Sequence, residues 1–67
     1  MAPTRRYNWR FQVEALSGES RMEYHDAPFQ GTPEEADRVA DRLAEIFIDD
    51  TGLEVARVHL ERCGEVR

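Results

Sequence analysis

Residues 32–52 read TPEEADRVADRLAEIFIDDTG and encode one helix together with both of its ends, and the rest of the chain is organised around this helix. Thr32 suits the N-cap, and Pro33 suits the first helical position, where no N–H is needed. Glu35 follows the cap by three residues and completes a capping-box pattern. Gly52 suits the left-handed position that ends many helices.

Apolar residues recur at helical spacing within this predicted helix, which covers Pro33 to Asp50. The apolar face consists of Ala36, Val39, Ala40, Leu43, Ile46 and Phe47. Such a stripe indicates that the helix packs against another layer. The outward face is acidic and carries Asp37, Asp41, Glu45 and Asp49 at intervals of four residues. That spacing places the four carboxylates on one side of the helix.

The segment before the helix predicts a β-hairpin. Its first strand is indicated by Tyr7, Trp9, Phe11, Val13 and Ala15, which alternate with polar residues. Gly18 followed by Glu19 favours a two-residue type II′ turn. In the resulting register, Met22 and Tyr24 lie on the same side as the aromatic residues. The segment Phe29-Gln30-Gly31 is predicted to be a connector to the helix.

A third strand is predicted after Gly52, where Ala56, Val58 and Leu60 keep a period of two. A change of phase near Val55 and Ala56 indicates either a bulge or a strand that is covered on both sides at its start. The element order β-β-α-β predicts an α+β fold of two layers, a three-stranded antiparallel sheet in the order 2-1-3 with the helix packed on one face. We expect a single domain over residues 1–67, with a disordered start at 1–4 and a polar tail at 62–67.

The composition restricts the class of protein. A chain of 67 residues buries only roughly 60% of its unfolded surface, so self-association as a homodimer is expected to add burial. The lone Cys63, the lack of a signal-peptide pattern and the short apolar runs predict a cytoplasmic protein with no membrane contact. All nine basic residues are arginine, which indicates a GC-rich bacterial or phage genome.

The sequence contains no catalytic, cofactor or metal signature. His25, Asp26, His59 and Cys63 are metal-ligand types, but no CxxC or HxxxH spacing is present. A Gly-rich phosphate loop and a nucleophile elbow are also missing. We therefore predict no metal, no cofactor and no enzymatic activity.

The N-terminal segment mixes arginines with aromatic residues, a composition typical of nucleic-acid-binding surfaces. The alternation assigns the aromatic residues to the core, but Arg6, Arg10, Arg21 and Arg57 could form a basic patch on the open face of the sheet. The open face is also expected to carry Gln12, Glu14, Glu23, His25, His59 and Val55. The net charge of −5 opposes strong binding to nucleic acid.

Two classes of function follow from these observations. The first is a small protein-binding domain, acting as an adaptor, regulator or inhibitor and forming a homodimer through the open sheet face or a strand edge. The expected contact surface for its partner is the acidic helix face, defined by Asp37, Asp41, Glu45 and Asp49. The alternative is a nucleic-acid-binding module that uses the predicted basic patch.

Overall fold

The computed structural model describes residues 5–24 and 26–66 and has one helix packed on one face of an antiparallel sheet. The elements are β1 (Tyr7–Ala15), β2 (Ser20–Glu23), β3 (Phe29–Gly31), α1 (Pro33–Thr51) and β4 (Val55–Glu65). The predicted α+β fold is confirmed. The predicted disordered start, residues 1–4, lies outside the described residues.

The central strand of the sheet is β1. Strand β4 pairs with it from Tyr7 to Ala15 and occupies one whole edge. Strands β2 and β3 pair with the two halves of β1 and share its other edge, because a strand offers hydrogen-bonding groups on two sides only. The sheet thus keeps the predicted order 2-1-3, with the second strand broken in two. The predicted connector Phe29-Gln30-Gly31 is the second half of that strand.

The turn between β1 and β2 is not the predicted type II′ turn. Gly18 has a φ of 96° and its N–H donates to the carbonyl oxygen of Ala15 at 3.0 Å. This is a three-residue loop with glycine in the left-handed position, the common alternative to a two-residue turn. It moves the strand pairing by three residues, so that Val13 lies opposite Arg21 instead of Tyr24.

The changed register turns β2 over, because a shift by an odd number of residues exchanges the two faces of a strand. Met22 lies opposite Gln12 and is 43% exposed, so its predicted place among the aromatic residues is wrong. Glu23 lies opposite Phe11, on the helix side of the sheet. Tyr24 still lies beside the aromatic residues of β1, as predicted, since its ring centroid is 5.8 Å from that of Phe11.

The core fills the space between the sheet and α1. Its buried residues are Trp9, Phe11, Val13, Ala15, Ala36, Ala40, Leu43 and Phe47. The indole Nε1 of Trp9 donates a buried hydrogen bond to the carbonyl oxygen of Gly31 at 2.9 Å, so this polar group is satisfied. Ile46 was predicted to be part of the core but is 40% exposed, because helical geometry places it about a quarter turn from the centre of the buried stripe.

Both ends of α1 have the predicted caps. The Thr32 hydroxyl accepts a hydrogen bond from the Glu35 N–H at 3.2 Å, and the Glu35 carboxylate accepts one from the Thr32 N–H at 2.9 Å. Gly52 has a φ of 73°, and its N–H donates to the carbonyl oxygen of Ile48 at 2.8 Å. These caps satisfy backbone groups that the helix itself leaves without partners.

Strand β4 is longer than predicted. It continues to Glu65, through most of the segment 62–67 that was predicted to be a polar tail. Beyond its end, the Val66 N–H still donates to the carbonyl oxygen of Arg6 at 2.9 Å. The guanidinium carbon of Arg62 lies 4.8 Å from the ring centroid of Tyr7, a cation–π contact that holds this polar half of the strand on β1.

Two bulges interrupt β4. The register with β1 shifts between Glu14 and Ala15 and again between Asn8 and Trp9, which leaves Ala56 and Cys63 as the extra residues. The first bulge is the one that the sequence predicted. Between the bulges the pairing is regular from position 57 to position 62.

Candidate functional site

The acidic helix face is assembled as the sequence predicted. Asp37, Asp41, Glu45 and Asp49 are all exposed, on the side of α1 away from its buried residues. Glu45 lies 3.9 Å from Arg42, a solvent-exposed pair that contributes little to stability. The other three carboxylates make no ion pair with any residue in the described part of the chain. Their role in binding a partner stays a prediction.

Fold stability does not explain the acidic helix face. Carboxylates four residues apart on a helix repel each other, at a cost of about 0.2–0.5 kcal/mol per pair. The last turn of α1 contains no basic residue, so Asp49 meets the negative end of the helix dipole uncompensated. At the other end, Glu34 and Glu35 lie in the first turn, where the dipole favours negative charge.

The predicted basic patch does not form, because two of its four arginines lie elsewhere. Arg6 donates to the Glu35 carboxylate at 3.2 Å and to the carbonyl oxygen of Gln30 at 3.0 Å, at the start of the helix. Arg10 and Arg57 lie on the open face of the sheet, opposite Glu61 and Glu14 on the neighbouring strand.

Arg21 is on the helix side of the sheet, because β2 is turned over relative to the predicted register. Its guanidinium carbon lies 5.4 Å from the ring centroid of Phe47. The same group donates to Glu23 at 2.7 Å and to Asp50 at 3.4 Å. Arg21 therefore connects β2 to the helix and is not part of an open basic surface.

The open face of the sheet carries charges of both signs. His59 Nε2 and Glu14 Oε2 are 2.8 Å apart, and this hydrogen bond, helped by the charge of Arg57, lowers the pKa of Glu14 below its ordinary value. The Nε of Arg10 is buried and has no hydrogen-bond partner among the described residues. Alternating signs make this face a poor match for a continuous line of phosphates.

Two members of the predicted open face are placed differently. Glu23 and Val55 lie on the helix side, opposite Phe11 and Ala15. The shift at the bulge explains Val55, since one extra residue exchanges the faces of a strand. His25 lies outside the described residues.

Residue types that suit metal binding do not form a cluster in the described part of the chain. Residues 5–24 and 26–66 contain no group of three or more His, Cys, Asp or Glu side chains that could hold a metal, and no pocket is found among them. Cys63 is exposed at a bulge, where its thiol donates to the carbonyl oxygen of Glu61 at 3.6 Å. No helix in these ranges has the length and apolar character needed to cross a membrane.

The sequence predicted a strand edge as one possible dimer surface but did not identify the outer edge of β4 or its length. Strand β4 is eleven residues long, pairs with β1 on one side, and has no partner among the described residues on the other side. The length of β1 indicates the length of β4, because a neighbour that pairs with β1 from Ala15 back to Tyr7 extends from Val55 to Glu65. The polar sequence of the second half of β4 gives no such signal itself.

No family model, curated protein or solved structure matches this chain. Its function has to be inferred from the geometry of its own surfaces, because a small α+β fold is compatible with many unrelated functions.

Proposed function

We propose that this chain is a non-enzymatic protein-binding domain that binds a basic partner through the acidic helix face and forms a homodimer. The observation that supports it best is the group of three exposed carboxylates, Asp37, Asp41 and Asp49, that lack ion pairs among the described residues. They carry a repulsive cost within the monomer. A partner with arginine or lysine side chains at matching spacing would remove that cost and gain from electrostatic steering.

The same proposal places the protein in the cytoplasm of a bacterial cell and its gene in a GC-rich bacterial or phage genome. A lone exposed cysteine, Cys63, is compatible with a reducing compartment and gives no intramolecular disulfide. Nucleic acid is the weaker candidate for the partner. Only Arg10 and Arg57 of the four predicted arginines share the open face, and both lie opposite glutamates.

An arginine-rich peptide is a suitable probe for the acidic helix face. We expect it to shift the backbone NMR signals of residues 37–49 at low salt and to lose affinity as the salt concentration rises. The triple variant Asp37→Lys, Asp41→Lys and Glu45→Lys should abolish these shifts while keeping a cooperative thermal transition.

A second triple variant is the matched control, with the same change in net charge at exposed positions away from the helix, namely Glu19→Lys, Glu54→Lys and Glu65→Lys. It should keep most of the binding. Equal loss in both triple variants would show that only net charge matters and would contradict a specific acidic surface. Binding of DNA at about 50 mM salt, where phosphate contacts are strongest, would favour the nucleic-acid alternative instead.

A further inference from the structure

The outer edge of β4 is a long row of backbone hydrogen-bonding groups. Unpaired edge strands readily accept another strand, and many proteins protect them with prolines, charged side chains, bulges or a covering loop. The regular part of β4, positions 57–62, lies between the two bulges, contains no proline and carries charges of both signs, and none of the described residues pairs with its outer edge. This edge is therefore available for strand addition.

Two hydrogen bonds determine which backbone groups of β4 point outward. The Leu16 N–H donates to the carbonyl oxygen of Glu54, and the Val66 N–H donates to the carbonyl oxygen of Arg6. The backbone N–H and C=O groups of the even-numbered residues of β1 therefore point toward β4. Since hydrogen-bonded and non-hydrogen-bonded pairs alternate along an antiparallel ladder, their partners Arg57, His59 and Glu61 point their backbone groups at β1. The groups of the residues between them point outward.

Those outward residues are Val58 and Leu60. Both side chains lie on the helix side of the sheet, opposite Val13 and Phe11. Leu60 is 36% exposed, although it is a large apolar residue beside the core. The edge thus combines free backbone groups with apolar surface that a further strand would cover.

From this edge we infer that two copies of the chain pair through β4 in an antiparallel register centred on His59, forming one continuous sheet. The backbone groups of Val58 bond those of the partner's Leu60, and the reverse pair repeats the contact across the two-fold axis. On the helix side, Val58 and the partner's Leu60 form an apolar pair. On the open face, Arg57 lies opposite the partner's Glu61, and this ion pair also occurs twice.

The sequence RVHLE at positions 57–61 is complementary to itself only about His59. Neither Arg57 nor Glu61 makes an ion pair with a described residue, so both charges are available for the partner. A register centred on Leu60 would pair Leu60 with its own copy and His59 with the partner's Glu61, but it would place Val58 opposite the partner's Arg62 and Arg57 opposite the partner's Cys63, so the Arg57–Glu61 pairs would be lost. Opposite charges and matched apolar residues across a ladder stabilise it, whereas such mixed pairs do not.

This inference rests on the homodimer part of the proposed function, and mixing two charge variants tests it. Arg57→Glu places two glutamates opposite each other in both halves of the interface, and Glu61→Arg places two arginines there. We expect each variant alone to dimerise about tenfold more weakly than the wild type or worse. An equimolar mixture should regain most of the wild-type affinity, because both charged pairs across the interface then have opposite signs, whereas the new pairs with Glu14 and Arg10 on β1 stay within each chain.

Sedimentation measures this directly, with a dimer at twice the monomer mass of 7.8 kDa. Wild-type protein that stays at 7.8 kDa at high micromolar concentration would overturn the inference. A mixture no heavier than its components would overturn the register. Far-UV circular dichroism of each variant shows whether its monomer is folded.

Cross-linking provides a test that needs no charge reversal. In the proposed register the two His59 residues form a non-hydrogen-bonded pair with Cα atoms about 4.5 Å apart, within the range of a disulfide. His59→Cys in a Cys63→Ser background should form a disulfide-linked dimer on mild oxidation. The control Glu61→Cys in the same background should not, because its two copies would be about 13 Å apart along the strands.

The outcomes separate this inference from partner binding. A monomeric wild type that still binds the arginine-rich peptide would remove the dimer and leave the acidic helix face in place. A dimer with no affinity for the peptide would do the opposite. Cross-linking through Glu61 instead of His59 would contradict the register while keeping a β4 interface.

Discussion

Gly31 is the residue where the smallest change should disturb the core. A Cβ atom at this position would lie 2.7 Å from Cε1 of Phe29 and 3.2 Å from Cβ of Glu35. The Phe29 ring is held by the rings of Phe11 and Tyr24, with centroids 6.3 Å and 6.1 Å away. We expect Gly31→Ala to lower the free energy of unfolding by about 1–3 kcal/mol, as overpacking does, in urea denaturation.

The Phe29→Leu background tests the reason for this cost. Without the ring, the closest contact of the new methyl group disappears, so Gly31→Ala should cost less in that background than in the wild type. An equal cost in both backgrounds would show that the Phe29 ring is not the cause and would leave the contact with Cβ of Glu35 or the backbone as the reason for glycine.

Glu14 should contribute to the pH dependence of the protein's folding stability. The hydrogen bond with His59, followed by the charge of Arg57, lowers the pKa of Glu14 below its ordinary value of 4.5. A carboxyl group whose pKa is lowered on folding adds stability above its unfolded pKa and loses it as the pH falls through the folded pKa. From about pH 6 to about pH 3, the melting temperature of wild type should therefore fall more than that of Glu14→Gln. Parallel curves would contradict this role.

In helix α1, the C-terminal turn is a place where a substitution can raise the stability of the fold. Asp49 faces the negative end of the helix dipole without an ion pair among the described residues, whereas Asp50 lies 3.4 Å from Arg21. We expect Asp49→Asn to raise the free energy of unfolding by about 0.5 kcal/mol. Asp50→Asn should gain less, because it also loses the contact with Arg21. A destabilised Asp49→Asn in chemical denaturation would contradict the dipole argument.

That gain has a functional meaning. Natural proteins are rarely at their stability optimum, and the recurrent cost of a stabilising substitution is a loss of function. Under the proposed function, Asp49→Asn should therefore trade stability against affinity for the arginine-rich peptide.

Leu43 and Ile46 form a matched pair for testing the helix core. The two residues are 7% and 40% exposed, although the periodicity predicted both as buried. Leu43→Asp would bury an unpaired charge and should abolish the cooperative thermal transition. Ile46→Asp should keep it, at a cost of about 1 kcal/mol or less. A cooperative melt for Leu43→Asp would contradict the core assignment.

The difference between these elements shows what the sequence could predict. The helix and its caps depend on interactions within a few residues, so Thr32 and Gly52 specify them locally. The hairpin register depended on which of two turns Gly18 adopts, and both require a residue with positive φ. That choice is made by the packing of the whole sheet, which local sequence does not report.

The same reasoning explains why the acidic helix face was predicted correctly and the basic patch was not. The acidic helix face could be predicted because helical periodicity alone places its four carboxylates together. The position of the basic residues could not be predicted, because the face on which Arg21 lies depends on the hairpin register and because Arg6 donates a hydrogen bond to Glu35, which is distant in sequence. The edge of β4 emerged only from the complete strand pairing.

For the molecule as a whole, the proposed dimer through the edge of β4 would bring the acidic helix faces of two copies into one particle. A two-fold axis perpendicular to a continuous sheet keeps both helices on the same face. The acidic helix faces of the two copies would then point in the same direction, with a net charge twice the −5 of one chain. A basic partner with two binding segments could contact both, which raises its apparent affinity through effective concentration.

Amide hydrogen exchange tests this assembly along a single strand. The N–H groups of Arg57, His59 and Glu61 face β1 and should be protected at every protein concentration, because their bonds lie within one chain. The N–H groups of Val58 and Leu60 face outward, so they should exchange rapidly in dilute protein and at least about tenfold more slowly once the dimer forms. The odd-numbered amides serve as an internal control, since unfolding would expose both sets. If the mass doubles while Val58 and Leu60 stay unprotected, the copies meet elsewhere and the open face of the sheet becomes the better candidate for the interface.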